Sequence, residues 1–347
     1  MNRTVEISRR NFLKETGRFA SGFLLLQPLS LFPLGRERAG EFVYIERVFY
    51  TMGTMATISA YGQERAHVQQ AITKAINAIQ RVDDLMSLYK PGSRISAINQ
   101  AAGRHLVPVE KELTEILSKA RHFYSLTQGA FDITIEPLME LWGFRKRDRE
   151  PSRVPSDSEV QRQLDAVGFR NLVVDATTQS VGLLNERSKV DLGGIAVGFS
   201  VDRAVAVLRN EGIISAFINH SGDAYAIGSP PDSEGWEIGI PNPLNRNEIV
   251  SNLRLQDNAV SSSGNYEKYV AAGGERFGHI LNPNSGRPSS AMLGATIIAP
   301  TSMEADALST GLFCTGIDST RAIVKELHGT RAILITGDER HLDVSSV

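Results

Sequence analysis

The sequence lacks several features that would narrow its class at once. It has a single cysteine, Cys314, among 347 residues, so no intrachain disulfide can form. The formal net charge is only -2, which gives no electrostatic reason to expect nucleic-acid binding. Internal repeats and low-complexity segments are absent as well. What is present is ordinary globular composition, with 41% hydrophobic and 22% charged residues, enough apolar material for a core.

A long uninterrupted apolar run is also missing. Residues 19–34 come nearest, but Gln27, Pro28 and Pro33 interrupt them. The stretch is also shorter than a membrane span, which needs about 20 apolar residues. Before it, residues 8–14 read S-R-R-N-F-L-K and resemble the twin-arginine export signal of bacteria. We therefore predict an export signal over residues 1–40, a folded domain over residues 41–347 and a periplasmic location. A basic amphipathic helix inside the fold is the alternative.

Neither standard glycine pattern for nucleotide binding occurs. Residues 191–202, D-L-G-G-I-A-V-G-F-S-V-D, do not follow G-x-G-x-x-G, and no lysine stands where a P-loop has one. The stretch nevertheless predicts a strand end, a glycine turn and a helix start, preceded by β-like runs over 181–184 and 189–192. Amide N–H groups at such a helix start can bind a phosphate, but a tight turn without a ligand explains the pattern equally well.

Helices and strands are mixed along the rest of the chain. Apolar spacing predicts helices over 68–85 and 109–127, with Ser93 and Ser302 capping two more. Short apolar runs predict strands, among them 43–45, 56–58, 213–218, 236–240, 296–299 and 332–336. The charged segment 145–155 is interpreted as a solvated connector. Because no regular β-α-β rhythm appears, we expect an α+β fold rather than a doubly wound sheet.

Three polar side chains are candidates for chemistry. Asp306 and Thr310 lie four residues apart on a predicted helix and so project from one face. Their oxygens are the hard donors that Mg²⁺ uses, although a plain polar face is the commoner explanation of such a pair. His279 stands between a glycine and an apolar run. Its pKa near neutrality makes it eligible as a base, while most lone histidines are structural or solvated.

Taken together, these segments resemble the ApbE family, the bacterial FAD:protein FMN transferases. The similarity covers residues 42–337 and rests on motifs in family order. They are M-G-T at 52–54, M-S-L-Y at 86–89 with Ser93 and Asn99, G-A-F-D at 129–132 with P-L at 137–138 and L-W-G-F at 141–144, D-L-G-G-I-A at 191–196 with Gly198, Asn219 with G-D at 222–223, S-G at 263–264 with Tyr266, H-I at 279–280 through Gly286, and A-D-A-L-S-T at 305–310.

The resemblance implies an ApbE-like two-layer fold with mixed or antiparallel sheets and packed helices. It also implies Mg²⁺-dependent cleavage of the FAD pyrophosphate, transfer of FMN to a Ser or Thr hydroxyl of a target protein, and release of AMP. Gly194, Asp306 and Thr310 would hold the metal, and His279 would be the base. The expected FAD contacts are Met52, Tyr89, Ala130, Phe131, Asp132, Asp191, Val197 and Ile280.

Three positions depart from the family pattern. Val197 stands where the family often has lysine, Asn265 where an acidic residue is common, and Asn282 where aspartate is common. The twin-arginine signal is similar to that of a branch linked to nitrous-oxide respiration, so we expect a membrane-bound or periplasmic redox protein as the flavin acceptor. Two alternatives stay open: an FAD-binding or scavenging protein without transfer activity, and a Mg²⁺-dependent FAD pyrophosphatase.

Overall fold

The structure is a computed structural model, which describes residues 42–145, 153–264, 269–337 and 342–347. The predicted export signal therefore lies outside the described residues, as do Asn265 and Tyr266 of the motif pattern. No helix in the described ranges is long and apolar enough to cross a membrane.

Eight helices occur in the described ranges. In chain order they are α1 (Arg65–Met86), α2 (Arg94–Gln100), α3 (Lys111–Leu126), α4 (Glu136–Leu141), α5 (Asp157–Leu164), α6 (Ala196–Asn210), α7 (Ser302–Phe313) and α8 (Ile317–Lys325). The amphipathic predictions over 68–85 and 109–127 are confirmed as α1 and α3. Ser93 caps α2 by accepting the backbone N–H of Ser96. The prediction for Ser302 is wrong, because the side chain of Thr301 caps α7.

The described strands number seventeen. They are β1 (Val43–Thr51), β2 (Thr54–Gly62), β3 (Val107–Pro108), β4 (Leu172–Asp175), β5 (Ser180–Leu183), β6 (Ser215–His220), β7 (Asp223–Ile227), β8 (Trp236–Pro241), β9 (Ile249–Leu255), β10 (Asn258–Gly264), β11 (Tyr269–Ala272), β12 (Glu275–Gly278), β13 (Leu281–Asn282), β14 (Arg287–Pro288), β15 (Gly294–Ala299), β16 (Arg331–Gly337) and β17 (Leu342–Ser346). The strand predicted over 189–192 is wrong, since no strand forms there. The backbone of that segment bonds instead to a loop and to a side chain.

One large sheet organises the molecule. Its eight strands run in the order β1-β2-β6-β7-β10-β15-β16-β17, and every neighbouring pair is antiparallel. Tight hairpins join β1 to β2 and β6 to β7, and in the second hairpin Ser221 and Gly222 both have positive φ. This arrangement confirms the α+β prediction with antiparallel sheets, since direct hairpin connections replace β-α-β crossovers at these places.

The main core lies between the large sheet and the helices. Helix α6 packs against both α1 and α7, and α7 packs against β10 and β15. On the other face, the β8–β9 hairpin brings Trp236 against Tyr61 and Phe217. A smaller cluster around Trp142 joins α4 and α5 to the β13 region, and its indole N–H donates to the carbonyl of Gly286 at 2.9 Å.

Candidate active site

A cavity of about 240 Å³ lies where several loops meet α4 and the second half of α7. The loops are the one after α1, the one between α3 and α4, the residues directly after α4, the glycine turn before α6, the end of β10 and the connection from β12 to β13. The lining residues are Tyr89, Ala130, Phe131, Asp132, Ile133, Ile135, Met139, Phe144, Arg145, Asp191, Gly193, Gly194, Ser262, Ser263, Gly264, His279, Ile280, Leu281, Pro283 and Thr310.

The glycine turn is held from several sides. The Asp191 N–H donates to the Ile133 carbonyl at 2.8 Å, and the Asp191 carboxylate accepts the Gly193 N–H at 2.8 Å. The Asn99 side chain bonds both backbone groups of Val190, at 2.7 and 2.9 Å. These bonds fix the turn against the loop after α3, so Gly193 and Gly194 keep their place in the cavity lining.

Gly194 is needed because the turn approaches α7 closely. A Cβ at this position would lie 3.1 Å from Thr310 Oγ1 and 3.4 Å from the Phe131 ring. The 3.1 Å contact is tighter than nine in ten real Cβ contacts, so Thr310 or the turn would have to shift by a few tenths of an ångström to accept a side chain. The glycine thus places its own backbone beside the hydroxyl that the sequence singled out.

Asp306 and Thr310 project from the same face of α7, as their spacing predicts. Thr310 lines the cavity, while Asp306 is buried behind the turn and accepts the Gly198 N–H at 2.9 Å. Burial raises the pKa of Asp306 to about 7, and the hydrogen bond from Gly198 opposes that rise. A buried carboxylate of this kind favours a nearby cation.

The donors around Asp306 fit Mg²⁺ better than a soft transition metal. Within the described residues, no group of three or more His, Cys, Asp or Glu side chains could hold a metal ion. A metal here would therefore use the Asp306 carboxylate, the Thr310 hydroxyl and the Gly194 carbonyl. Mg²⁺ is commonly bound by one or two carboxylates while water and phosphate oxygens complete its shell.

Helix α7 is fixed by a residue that the sequence did not single out. The carboxylate of Asp202, on α6, accepts the N–H groups of Ser302 and Met303 at 2.7 and 3.0 Å. These are two of the free donors at the α7 start. Asp202 lies 100 residues from its partners, so no local spacing could have indicated this bond.

The loop after α3 supplies another wall. The Phe131 N–H donates to Thr127 Oγ1 at 2.9 Å, and buried Asp132 accepts both the N–H and the hydroxyl of Thr134 at 2.8 and 2.7 Å. Burial raises the pKa of Asp132 to about 6, against the lowering effect of Thr134. The Phe131 ring thereby stands at the cavity in a fixed position.

Nine of the twelve candidate residues line the cavity: Tyr89, Ala130, Phe131, Asp132, Asp191, Gly194, His279, Ile280 and Thr310. The other three, Met52, Val197 and Asp306, lie outside its lining. Met52 is at the β1–β2 turn with a φ of 47°, and its N–H contacts the Asp83 carboxylate at 3.4 Å. Val197 is half-buried in the first turn of α6.

Arg145 corrects one interpretation of the sequence. The segment 145–155 was expected to be solvated, but Arg145 lines the cavity and forms ion pairs with Glu136 and Asp191. Residues 146–152 lie outside the described ranges. The sequence gives no clear signal for this pair, because Glu136 lies in a stretch where apolar residues alternate with polar ones such as Asp132 and Glu140.

The fold and the site define an α+β protein with a loop-built pocket, a helix start and hard oxygen donors suited to a phosphorylated ligand. The sequence profile of the ApbE family matches residues 52–334. The chain belongs to the ApbE family.

Individual relatives agree with this assignment. The crystal structure of the ApbE protein from Thermotoga maritima is similar with a TM-score of 0.79 and 30% identity, covering 87% of this chain and 97% of that one. The flavinyl transferase ApbE of Pseudomonas stutzeri gives 0.79 at 25% identity, with coverage of 90% and 96%. The FAD:protein FMN transferase of Salmonella typhimurium is 28% identical over 279 residues, 79% of each chain. The resemblance inferred from the motifs is thereby confirmed.

Proposed function

We propose that this chain is an FAD:protein FMN transferase, which moves FMN from FAD to a hydroxyl of a target protein. Membership of the ApbE family supports the reaction class. One observation in this chain supports the proposal most strongly. The glycine turn, Thr310 and His279 line the same cavity, and Asp306 lies behind the turn. In the reaction a Ser or Thr oxygen forms a new P–O bond to the FMN phosphorus, the bond to the AMP phosphate breaks, and AMP leaves.

We assign the metal site to Asp306, Thr310 and the Gly194 carbonyl, with Mg²⁺ as the ion. When bound, Mg²⁺ neutralises the pyrophosphate charge and polarises the P–O bond that breaks. The chain's own part is to hold the diphosphate beside the glycine turn, at the positive end of the α6 dipole. Burial of Asp306 and its raised pKa support this assignment.

His279 is the base in this proposal. It is half-buried and lines the cavity together with Gly194 and Thr310. A neutral imidazole nitrogen would take the proton from the target hydroxyl as the oxygen attacks phosphorus. Proton removal matters because an alcohol is a weak nucleophile near neutral pH.

The remaining candidates are assigned to FAD. Phe131, Ala130 and Ile280 offer apolar walls for the flavin ring, while Asp132 and Asp191 offer carboxylates for polar groups of the dinucleotide. A cavity of about 240 Å³ is below the roughly 300–1,000 Å³ of typical ligand pockets. The dinucleotide would therefore extend beyond this cavity, and Met52 and Val197, which lie outside the cavity lining, are assigned to that part of it.

We further propose that the protein works in the periplasm after twin-arginine export. Support comes from the S-R-R-N-F-L-K motif and the modest apolar run that follows it. The acceptor would then be a periplasmic or membrane-bound redox protein with an exposed Ser or Thr.

Intact-mass analysis of a flavinylation-competent acceptor domain, incubated with the protein, FAD and Mg²⁺, tests the function. We expect a mass gain equal to one FMN phosphoester. Asp306→Asn keeps the shape and the acceptor for Gly198 N–H but loses the charge. It should slow transfer at least about 100-fold. Asp318→Asn, an exposed aspartate on α8, is the matched control and should transfer normally.

Two outcomes would replace the proposal. Free FMN and AMP without an adduct would indicate an FAD pyrophosphatase. Bound, intact FAD without turnover would indicate a binding or scavenging protein. Removal of divalent ions with a chelator should stop transfer and Mg²⁺ should restore it. Transfer that persists without any divalent ion would remove the metal from the mechanism.

A further inference from the structure

A cluster of four side chains stands beside the cavity. The Arg145 guanidinium contacts the carboxylates of Glu136 and Asp191 and the hydroxyl of Tyr89. These partners come from three places in the chain: Tyr89 from the loop after α1, Glu136 from the start of α4, and Asp191 from the glycine turn. One guanidinium therefore bonds three segments that are distant in the sequence and meet at the pocket.

Glu136 is the anchor of this cluster. Its side chain is only 2% exposed, and both of its oxygens accept Arg145 Nε at 2.8 Å, with a further bond from Nη2. Burial raises the pKa of Glu136 to about 7, and the hydrogen bond from Arg145 opposes this rise. Separating such a pair would leave a buried carboxylate without its counter-ion, so we expect Arg145 to stay on Glu136 when the pocket fills.

The two Nη atoms of Arg145 bond the pocket residues Asp191 and Tyr89 and so hold their side chains in position. The Asp191 carboxylate is held at both oxygens, by Gly193 N–H at one and by Arg145 at the other. Arg145 Nη1 donates to the Tyr89 hydroxyl at 2.8 Å, and the guanidinium carbon lies 5.7 Å from the Tyr89 ring centroid. Tyr89 is 72% exposed, so little else confines its ring.

We propose that Arg145, anchored by Glu136, is a positioning residue that fixes Asp191 and Tyr89 for the dinucleotide substrate. The inference rests on the proposed use of FAD but not on transfer to a protein. Arginine suits the task because its planar fork can serve several acceptors at once, which a lysine ammonium on a flexible stem cannot do.

Charge adds a second reason for an arginine here. Glu136, Asp191 and Arg145 together carry one negative charge when ionised, whereas the two carboxylates alone carry two. Among the described residues that line the cavity, Arg145 is the one lysine or arginine. The cluster therefore repels a negatively charged diphosphate less strongly than the two carboxylates would without the guanidinium.

Equilibrium binding of FAD to the full-length protein in the presence of Mg²⁺ tests the proposal. The double variant Glu136→Gln with Arg145→Met removes both charges and so leaves no uncompensated ion in the interior. We expect the Kd and KM for FAD to rise about 10- to 100-fold, as for the loss of hydrogen bonds to charged groups, while kcat at saturating FAD changes little. Arg145→Lys keeps a charge beside Glu136 and should weaken FAD binding to a similar extent.

A neighbouring ion pair provides the matched control. Lys189 pairs with Glu140 at 2.7 Å, on the same two segments as Asp191 and Glu136, but neither residue lines the cavity. The double variant Glu140→Gln with Lys189→Met should bind FAD as the unmodified protein does. Thermal unfolding of all variants identifies any that fail to fold.

Two results would overturn the proposal. Unchanged FAD affinity in the folded Glu136→Gln, Arg145→Met variant would show that the pair only stabilises the fold. Unchanged affinity in Arg145→Lys would show that charge suffices without positioning. If the protein binds FAD in an Arg145-dependent way yet leaves the acceptor unmodified, the proposed transfer fails while this inference stands.

Discussion

Helix propensity and close packing predict opposite effects on stability when Gly198 is replaced by alanine. Gly198 lies in the first turns of α6, and in a helix interior alanine is favoured over glycine by about 1 kcal/mol. Helix propensity alone therefore predicts a more stable protein. The structure predicts the reverse, because an added Cβ would lie 2.3 Å from the Ser302 carbonyl oxygen and 2.8 Å from the Asp306 Cβ.

The size of the effect follows from that contact. Ordinary Cβ contacts begin near 3.4 Å, so α6 and α7 would have to separate by about 1 Å, and the nearest obstacle is backbone that cannot rotate away. Overpacking of this kind costs about 1–3 kcal/mol. After subtraction of the gain in helix propensity we expect a net loss of about 1 kcal/mol in the free energy of unfolding, which corresponds to a fall in Tm of roughly 2 °C in a protein of this size.

Urea and thermal unfolding of Gly198→Ala measure this loss. Gly92→Ala is the control, since a Cβ there meets nothing within 4 Å and φ is not positive. The same separation would lengthen the bond from Gly198 N–H to Asp306, so Mg²⁺ affinity by calorimetry should fall with stability. A Gly198→Ala protein as stable as the unmodified one would refute the close packing of α6 on α7.

Two further predictions concern histidines. The His279→Ala variant should transfer FMN about 10²- to 10⁴-fold more slowly, with FAD affinity nearly intact. His105 is exposed, so His105→Ala is the control and should transfer normally. Unchanged turnover in His279→Ala would exclude His279 as the base. Burial lowers the pKa of His220 from 6.5 to about 4, so the unfolded chain binds a proton more readily than the folded chain does. As the pH falls from 6.5 to 4, this group should therefore reduce the free energy of unfolding by up to about 3 kcal/mol. His220→Asn should flatten the pH dependence of unfolding between those values and His105→Asn should not. Equal slopes in His220→Asn and the unmodified protein would contradict the burial argument.

Local patterns predicted much of the fold because the elements concerned have clear periodicity. Helix α1 carries apolar residues at helical spacing against the sheet, and Ser93 caps α2 as its position indicates. The common face of Asp306 and Thr310 needed only the helical repeat. The α+β class likewise followed from irregular alternation of helices and strands, and the hairpins of the main sheet explain why no regular rhythm exists.

Long-range contacts were beyond such patterns. Residues 189–192 have the pattern of a short strand, yet their backbone partners are Asn99 and the loop at Ile133, so no strand forms there. The ion pair of Arg145 with Glu136 could not be predicted either, because Arg145 begins a charged, proline-bounded segment of the sequence and charged residues usually face solvent. What reveals the pair is the burial of Glu136, which only the folded chain shows.

Helix α6 connects the two halves of the proposed chemistry. Its first turn continues from the glycine turn that faces the cavity, and in this first turn the Gly198 N–H donates to Asp306. Another turn on, Asp202 holds the start of α7, the helix that presents Thr310 to the cavity. Because one helix positions the turn and the proposed metal ligands together, a shift of its N-terminal half would move both at once. Substitutions there should therefore impair FAD and Mg²⁺ binding jointly, whereas those near its end at Asn210 should affect stability alone.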